Sequence, residues 1–343
     1  MRPTMRCWQY SAVSGKLEDC LTFKEDISTP EKSSLREDEL IIEVISASLN
    51  PADYKFPEAT LIGRLMITRP ATPAMDFCGR VVATHPSNTN FEVGQVVFGG
   101  YPGASQRGTL AELIVISGTH CTPVPEGIDP DHAAAVGTAA TTAYQSLMSD
   151  TLRPGGKVFI NGGSGGTGIW AIQFAKALGV EVTATCSTKN IDICRQLGAD
   201  EVIDYRTQDT IAELKSKGMV FDLVIDNVGS SSGLHEISST ILKPGGTFVM
   251  VGVGESISLS GTFSMLGKDL FCKFLGGHRY RFARMNNTAS LFQHIADWMA
   301  EGKAKAVIDS TFAFEEVPTA YSKLREGHAR GKIVIHVTEA ARR

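Results

Sequence analysis

The chain has 343 residues, and against the usual span of about 100–200 residues per domain this makes two unequal domains the expectation. With 43% hydrophobic and 20% charged residues and a net charge of −4, it is neither a disordered polyelectrolyte nor a basic nucleic-acid binder. Its longest apolar runs, such as Phe221 to Ile225, fall far short of the roughly 20 residues that span a bilayer, so no membrane partner is expected.

Arg2, Pro3 and Arg6 open the chain where a secretory signal would need an apolar core, which leads us to expect a cytoplasmic protein. Through residue 133 the chain reads as short strands broken by Pro and Gly: Glu39 to Ile45, Gly79 to Thr84, Gln95 to Phe98 and Ala111 to Ile116. At about Ala133 the texture changes. A helix-like stretch, Ala133 to Met148, leads into apolar strands alternating with amphipathic helices.

Strands are predicted at Lys157 to Asn161, Glu181 to Cys186, Glu201 to Asp204, Phe221 to Asp226, Thr247 to Val251 and Leu270 to Leu275. Such runs with crossover helices specify a doubly wound, six-stranded parallel sheet. One helix is predicted from the glycines near Gly166 to Gly179, and a second from the capping residues Ser187 and Thr188 to Gly198. Pro154-Gly155-Gly156 and Pro244-Gly245-Gly246 mark two equivalent turns. After residue 287 come a helix, Leu291 to Glu301, and strands at Val307 to Phe312 and Lys332 to Val337 that return to the first domain. The expected division is therefore 1–133 completed by 287–343, and 134–286.

Seven cysteines (Cys7, Cys20, Cys78, Cys121, Cys186, Cys194 and Cys272) form no CxxC pair and read as reduced, mostly buried thiols. The chemistry-bearing motif is Gly163-Ser164-Gly165-Gly166-Thr167-Gly168, a GxGxxG that follows an apolar strand and opens a helix. Side-chain-free positions let the backbone turn sharply and approach a pyrophosphate, whose charge sits on the free amides of the helix start. A carboxylate at the end of the second strand would hold both ribose hydroxyls of NAD. Here the chain reads Thr185-Cys186-Ser187-Thr188-Lys189, so nothing repels a 2′-phosphate. Ser187 and Lys189 offer a hydroxyl and a counter-charge, which favours NADPH; the alternative for Lys189 is a solvated residue in a first helical turn.

The sequence resembles the medium-chain dehydrogenase/reductases, in their zinc-independent quinone oxidoreductase and enoyl reductase branch. The resemblance rests on Ser48-Leu49-Asn50-Pro51-Ala52-Asp53-Tyr54-Lys55, Ala139 to Ala143, Leu197-Gly198-Ala199-Asp200, Val224-Ile225-Asp226-Asn227-Val228-Gly229 and Gly331-Lys332-Ile333-Val334. It implies an α/β protein: a GroES-like β-rich catalytic domain, a Rossmann domain for NADP(H), and a nicotinamide held between them. Zinc-dependent members place Cys where this chain has Asn50, and His-Glu where it has Met75-Asp76, so no metal site is expected. Without a Lewis acid, hydride addition to an activated C=C is the chemistry most within reach.

By the resemblance, Asn50 lies beside the nicotinamide, with turn capping as its alternative role. Tyr54 is the candidate donor or proton source, with packing as the competing role, and Lys55 is a weaker candidate. Cofactor contacts are implied at Tyr205, Asn227, Val251, Gly276 and Lys332, beside the glycine loop; Thr138 and Thr141 are candidates to contact the carboxamide or the substrate, with helix capping or packing as their competing role. Gly276 to Arg281 reads as a loop whose arginines either bind an acid group or face solvent. His120, His132, His235, His294, His328 and His336 show no acid/base partner in the sequence. Residues 55–66 and 99–108 are candidates for a substrate lid or wall.

The reading is an NADPH-dependent reductase of an unsaturated carbonyl, enoyl thioester or quinone, in a homodimer, with a polyketide synthase as a partner to consider. The alternatives are a metal-free carbonyl reductase and a crystallin-like protein that binds NADPH without turnover.

Overall fold

The computed structural model describes residues 3–59, 67–103, 106–229, 233–252, 278–283 and 286–338. The chain divides into two compact units, Met1–Thr141 with Met285–Arg343, and Thr142–Arg284.

The first unit opens with a two-stranded antiparallel sheet, β1 (Thr4–Gln9) and β2 (Thr22–Ser28). Its main sheet is built on β3 (Glu39–Leu49), joined by β4 (Asp76–Thr84), β5 (Val96–Gly100), β6 (Leu113–Ser117) and β7 (Cys121–Pro123). β3 is far longer than the predicted segment because Ser46 and Ser48, polar in sequence, are fully buried and hydrogen-bonded. Burial of both faces turns such a strand into a continuous run rather than an alternating one.

The second unit is a six-stranded sheet of β8 (Lys157–Asn161), β9 (Glu181–Cys186), β10 (Glu201–Asp204), β11 (Phe221–Asp226), β12 (Leu242–Met250) and β13 (Arg279–Phe282), in the order β10-β9-β8-β11-β12-β13. All its pairs are parallel, as in a Rossmann fold. Phe159, Phe221, Val224 and Phe248 fill its core with Leu234 and Ile241 of the helix Leu234–Ile241. Each such side chain contributes roughly 1.5–3 kcal/mol by leaving water. Two further strands, β14 (Ile308–Ala313) and β15 (Lys332–His336), complete the first unit: β15 lies antiparallel against β3, and β14 parallel against β15.

Some predicted elements shift. The stretch Ala133 to Met148 is two helices, Pro130–Ala134 and Gly137–Leu147. The turn at Pro244-Gly245-Gly246 is absorbed into β12, whose register on β11 jumps between Phe221/Leu242 and Leu223/Thr247. Gly155 and Gly245 nonetheless adopt matching left-handed backbones, φ 81° and 78°. Asp222 ties both turns, accepting Lys157 N–H at 2.8 Å and the Lys243 ammonium at 2.8 Å.

The sixth strand predicted at Leu270 to Leu275 lies outside the described residues, as does Gly276. The observed sixth strand, β13, falls on residues read as a loop. Its alternation explains the difference: Tyr280 is buried and stacked on Phe248, with ring centroids 5.5 Å apart, while Arg279 stays exposed.

Candidate active site

In the second unit, the loop between β8 and the helix Gly166–Ala177 is held by backbone and side-chain bonds that leave its glycines bare. Thr185 Oγ1 accepts the Gly162 N–H at 2.9 Å and donates to Asn161 Oδ1 at 2.6 Å, while Asn161 Nδ2 donates to Asp226 at 2.9 Å. Gly163 N–H bonds the Thr185 carbonyl at 2.7 Å. A Cβ at Gly163 would meet Ala184 at 2.9 Å, and one at Gly168 would overlap the carbonyl of Gly162. These two glycines pack the loop onto sheet and helix. Gly165 has only the Gly162 carbonyl nearby, at 3.5 Å, and leaves the loop open on its outer side. The first-turn amides of Gly166, Thr167 and Gly168 have no carbonyl within the helix to bond, which makes this end a seat for an anion.

The remaining predicted residues of this unit gather at the C-terminal ends of the parallel strands. Tyr205 N–H bonds the carbonyl of Cys186 at 3.1 Å, bringing Tyr205 next to Ser187. Ser187 sits at the start of the short 3-10 turn Thr188–Asn190, not of the predicted helix, which begins at Ile191. Its hydroxyl makes no cap bond, because Asn190 N–H bonds the Ser187 carbonyl instead. Lys189 is exposed on that turn, and the guanidinium of Arg206 lies 5.8 Å from the Tyr205 ring centre. Ser164 Oγ accepts from Asn190 Nδ2 at 3.0 Å. Asn227 Nδ2 donates to the Asn161 carbonyl at 2.8 Å, and Val251 N–H to that of Asp226 at 2.9 Å.

Two buried acceptors, Asn190 Oδ1 and Asn227 Oδ1, have no hydrogen-bond partner. Such atoms are costly unless a ligand donates to them. Together with the open glycine loop they fit the hydroxyl-rich, phosphate-bearing body of a dinucleotide. Sequence reasoning missed Asn161, Thr185 and Asp226. The signal available was a polar residue near the C-terminal end of an otherwise apolar strand.

In the first unit three predicted residues converge on one that was not singled out, Asp76. Its carboxylate, wholly buried, accepts from Asn50 Nδ2 at 2.7 Å, the Thr138 N–H and Oγ1 each at 2.8 Å, Ser48 Oγ at 3.3 Å and Lys332 Nζ at 3.3 Å. Lys332 Nζ also donates to Asn50 Oδ1 at 2.6 Å. An ammonium only donates and a carboxylate only accepts, so these two partners fix which end of the Asn50 amide is oxygen. One N–H of Nδ2 is committed to Asp76; the other remains to donate. A Cβ at Gly137 would overlap the Asp76 carboxylate, so only glycine lets the helix Gly137–Leu147 begin there. Burial of the ion pair, 2% and 0% exposed, is sustained by these donors.

Asn50 occupies the N-cap position of the helix Pro51–Glu58, and its side chain bonds Asp76 and Lys332. Asp53 reaches back to the Asn50 N–H at 2.8 Å. Burial, reinforced by the nearby Asp76, leaves the Asp53 carboxyl pushed up to about 8 against the lowering pull of the Asn50 N–H.

Tyr54 lies elsewhere, in the hydrophobic core, with Arg325 4.2 Å above its ring and burial raising its phenol. Arg325 is itself held by Glu18 at 2.7 Å and by Glu58. The arginines of the predicted loop have structural tasks. Arg281 donates to the carbonyls of Ser146 and Met148 at the end of the helix Gly137–Leu147. His336 does have a carboxylate partner, Asp131, at 2.9 Å, formed across 205 residues and invisible to local pattern. Residues 60–66 and 104–105 of the proposed lid or wall lie outside the described residues.

Among the described residues no three His, Cys, Asp or Glu side chains are grouped to hold a metal ion, and no helix is long and apolar enough to cross a membrane.

Comparison with known proteins places this geometry. Residues 36–126 match the alcohol dehydrogenase GroES-like domain, and residues 197–335 match the domain described as zinc-binding dehydrogenase. The trans-enoyl reductase pgmF of Aspergillus terreus is 40% identical over 350 residues, covering 98% of this chain and 97% of the relative. The mitochondrial NAD(P)H oxidoreductase RTN4IP1 of Bos taurus is 32% identical, over 87% of this chain and 82% of that protein. The quinone oxidoreductase of Coxiella burnetii superposes with a TM-score of 0.84 at 27% identity, over 98% of this chain and 100% of the other. The family implies a nicotinamide cofactor, which the second unit's loop fits. The chain belongs to the medium-chain dehydrogenase/reductase superfamily, in its enoyl reductase-like branch, and is an oxidoreductase of that kind.

Proposed function

We propose that this protein is an NADPH-dependent reductase of the C=C bond in an α,β-unsaturated carbonyl, enoyl thioester or quinone, working without a metal. The observation that carries the reading is the Asn50 amide locked between Asp76 and Lys332. At the position where zinc members use a thiolate, an amide pinned by an ammonium and a carboxylate offers a directed N–H donor and no metal ligand. Met75, in the place of an imidazole, is buried and offers a thioether only.

NADPH, when bound, supplies the hydride. The glycine loop and first-turn amides of Gly166, Thr167 and Gly168 would hold its pyrophosphate, Asn227 and Val251 would serve its ribose, and Ser187, Lys189 and Tyr205 would take the 2′-phosphate. As that hydride reached the β-carbon of the substrate, negative charge would grow on the carbonyl oxygen, and a proton from water would complete the reduction at the α-carbon. The free N–H of Asn50 donates to that oxygen, while Lys332 keeps the amide from rotating. Asn50 is a better donor than Tyr54, whose ring is engaged by Arg325 within the core.

The 40% identity to a trans-enoyl reductase favours an acyl chain carried by a polyketide synthase over a free quinone as substrate. Turnover of a carrier-bound enoyl chain, set against small free enones, decides between them. Homodimer formation and a cytoplasmic setting belong to the same proposal. The cofactor is tested by Lys189→Glu: NADPH affinity should fall about 30-fold and NADH affinity less than about 3-fold, as expected when a phosphate loses its counter-charge. Equal losses would remove the NADPH assignment.

A further inference from the structure

Asp53 is a buried acid for which the reaction above has no use. It is 1% exposed and stands three residues beyond Asn50, with Oδ2 on the Asn50 N–H and its own N–H on the Asn50 carbonyl at 2.9 Å. Its carbonyl accepts Gln106 Nε2 at 2.7 Å, and Gln106 Oε1 in turn accepts the Tyr10 hydroxyl. Gln106 is held at φ 46°, a left-handed backbone that a non-glycine residue adopts only when its surroundings enforce it. Thus bonds from three segments clamp the start of the helix, and the residue that they clamp it around is Asn50. The other carboxyl oxygen, Oδ1, is buried, and the polar group that it meets is the equally buried hydroxyl of Tyr321. A dry carboxyl with Asp76 nearby is better accommodated as the neutral acid.

We propose that Asp53, as a neutral carboxylic acid, is the positioning residue that holds Asn50 in register with Asp76 and Lys332; this rests on the reading of Asn50 as donor to the substrate oxygen. The groups acting on Asp53 are Asp76 from β4, Lys332 from β15, Tyr321 from the helix Val317–Arg325, Tyr10 after β1 and Tyr54 on its own helix. Ionisation would place a second anion beside Asp76 in competition for Lys332, drawing the ammonium away from Asn50 Oδ1.

The test compares Asp53→Asn, which keeps an acceptor for the Asn50 N–H and cannot ionise, with Asp53→Ala, which has neither. The readouts are kcat and KM with NADPH and trans-2-hexenoyl-N-acetylcysteamine from about pH 6 to 10, and crystal structures of both variants. Wild-type kcat should decline above about pH 8, and Asp53→Asn should match it within about 2-fold at pH 7 while losing that decline. Asp53→Ala should lose about 10-fold in kcat with the dissociation constant of NADPH unchanged. An alkaline decline persisting in Asp53→Asn, or wild-type kcat in Asp53→Ala, overturns the proposal. Should Asp53→Ala not fold, the Asp53→Asn profile decides. A wild type inactive on this thioester and on free enones overturns the proposed function instead. The crystal structures then decide on Asp53: Asn50 released from Asp76 in the Ala variant alone supports positioning, and Asn50 unmoved in both overturns it.

Discussion

The glycine loop of the second unit and the Asn50–Asp76–Lys332 cluster of the first are both polar assemblies, one open on its outer side and one buried, built from opposite materials. The loop is backbone, contiguous over Gly162 to Gly168, and works by what its residues lack. The cluster is side chain, drawn from β3, β4, β15 and the helix beginning at Gly137, and works by what each residue donates or accepts. A backbone site tolerates no added atom, whereas a side-chain site tolerates no missing partner. The two should therefore fail in different ways.

The sharpest break is expected in the cluster. Lys332→Met leaves the Asp76 carboxylate buried without its cation, and stability to urea should fall by about 3–5 kcal/mol. A loss below about 1 kcal/mol would mean that the pair is not the buried node described. The loop should fail in binding instead. Gly168→Val forces a side chain into the Gly162 carbonyl, and NADPH affinity by fluorescence titration should drop at least about 100-fold. Affinity within about 3-fold of wild type would refute the cradle.

A smaller effect separates charge from shape within the cluster. The folded protein raises the Asp53 carboxyl from 3.8 to about 8, so the native state holds a proton that the unfolded chain releases between those values. Stability from this group is therefore full below about pH 4, declines as pH rises and is gone above about pH 8. Asp53→Asn should melt higher than wild type at pH 9 and close to it at pH 4 to 5; the opposite ordering would contradict the neutral-acid assignment. The smallest effect concerns Ala74, which adopts φ 67° just before Met75 and Asp76. Ala74→Gly should stabilise by about 0.5–1 kcal/mol by relieving the left-handed backbone. A net loss would show that the alanine methyl packs for more than its strain.

The same contrast explains what could be read from sequence. β8 to β11 fall on their predicted residues because each is a short apolar run between turn signals, and the GxGxxG carries its own context. Asn50, Thr138 and Lys332 were legible through family resemblance, but their meeting point was not. Asp76 is one acid among many until β3 and β4 pair and place Ser48 opposite it. Asp53 stood out only as one residue of the Ser48–Lys55 segment, because local spacing says nothing of dryness, and dryness is what sets its charge. β13 was missed because its Arg-Tyr-Arg-Phe alternation is only four residues long and two of the four are arginines.

The most direct test is isotopic. Protein treated with a zinc chelator is given NADPH deuterated at C4 and a conjugated enoyl thioester, and the product is examined by NMR. The account predicts one deuterium on the β-carbon at an undiminished rate; loss of activity on chelation, restored by zinc, would contradict it.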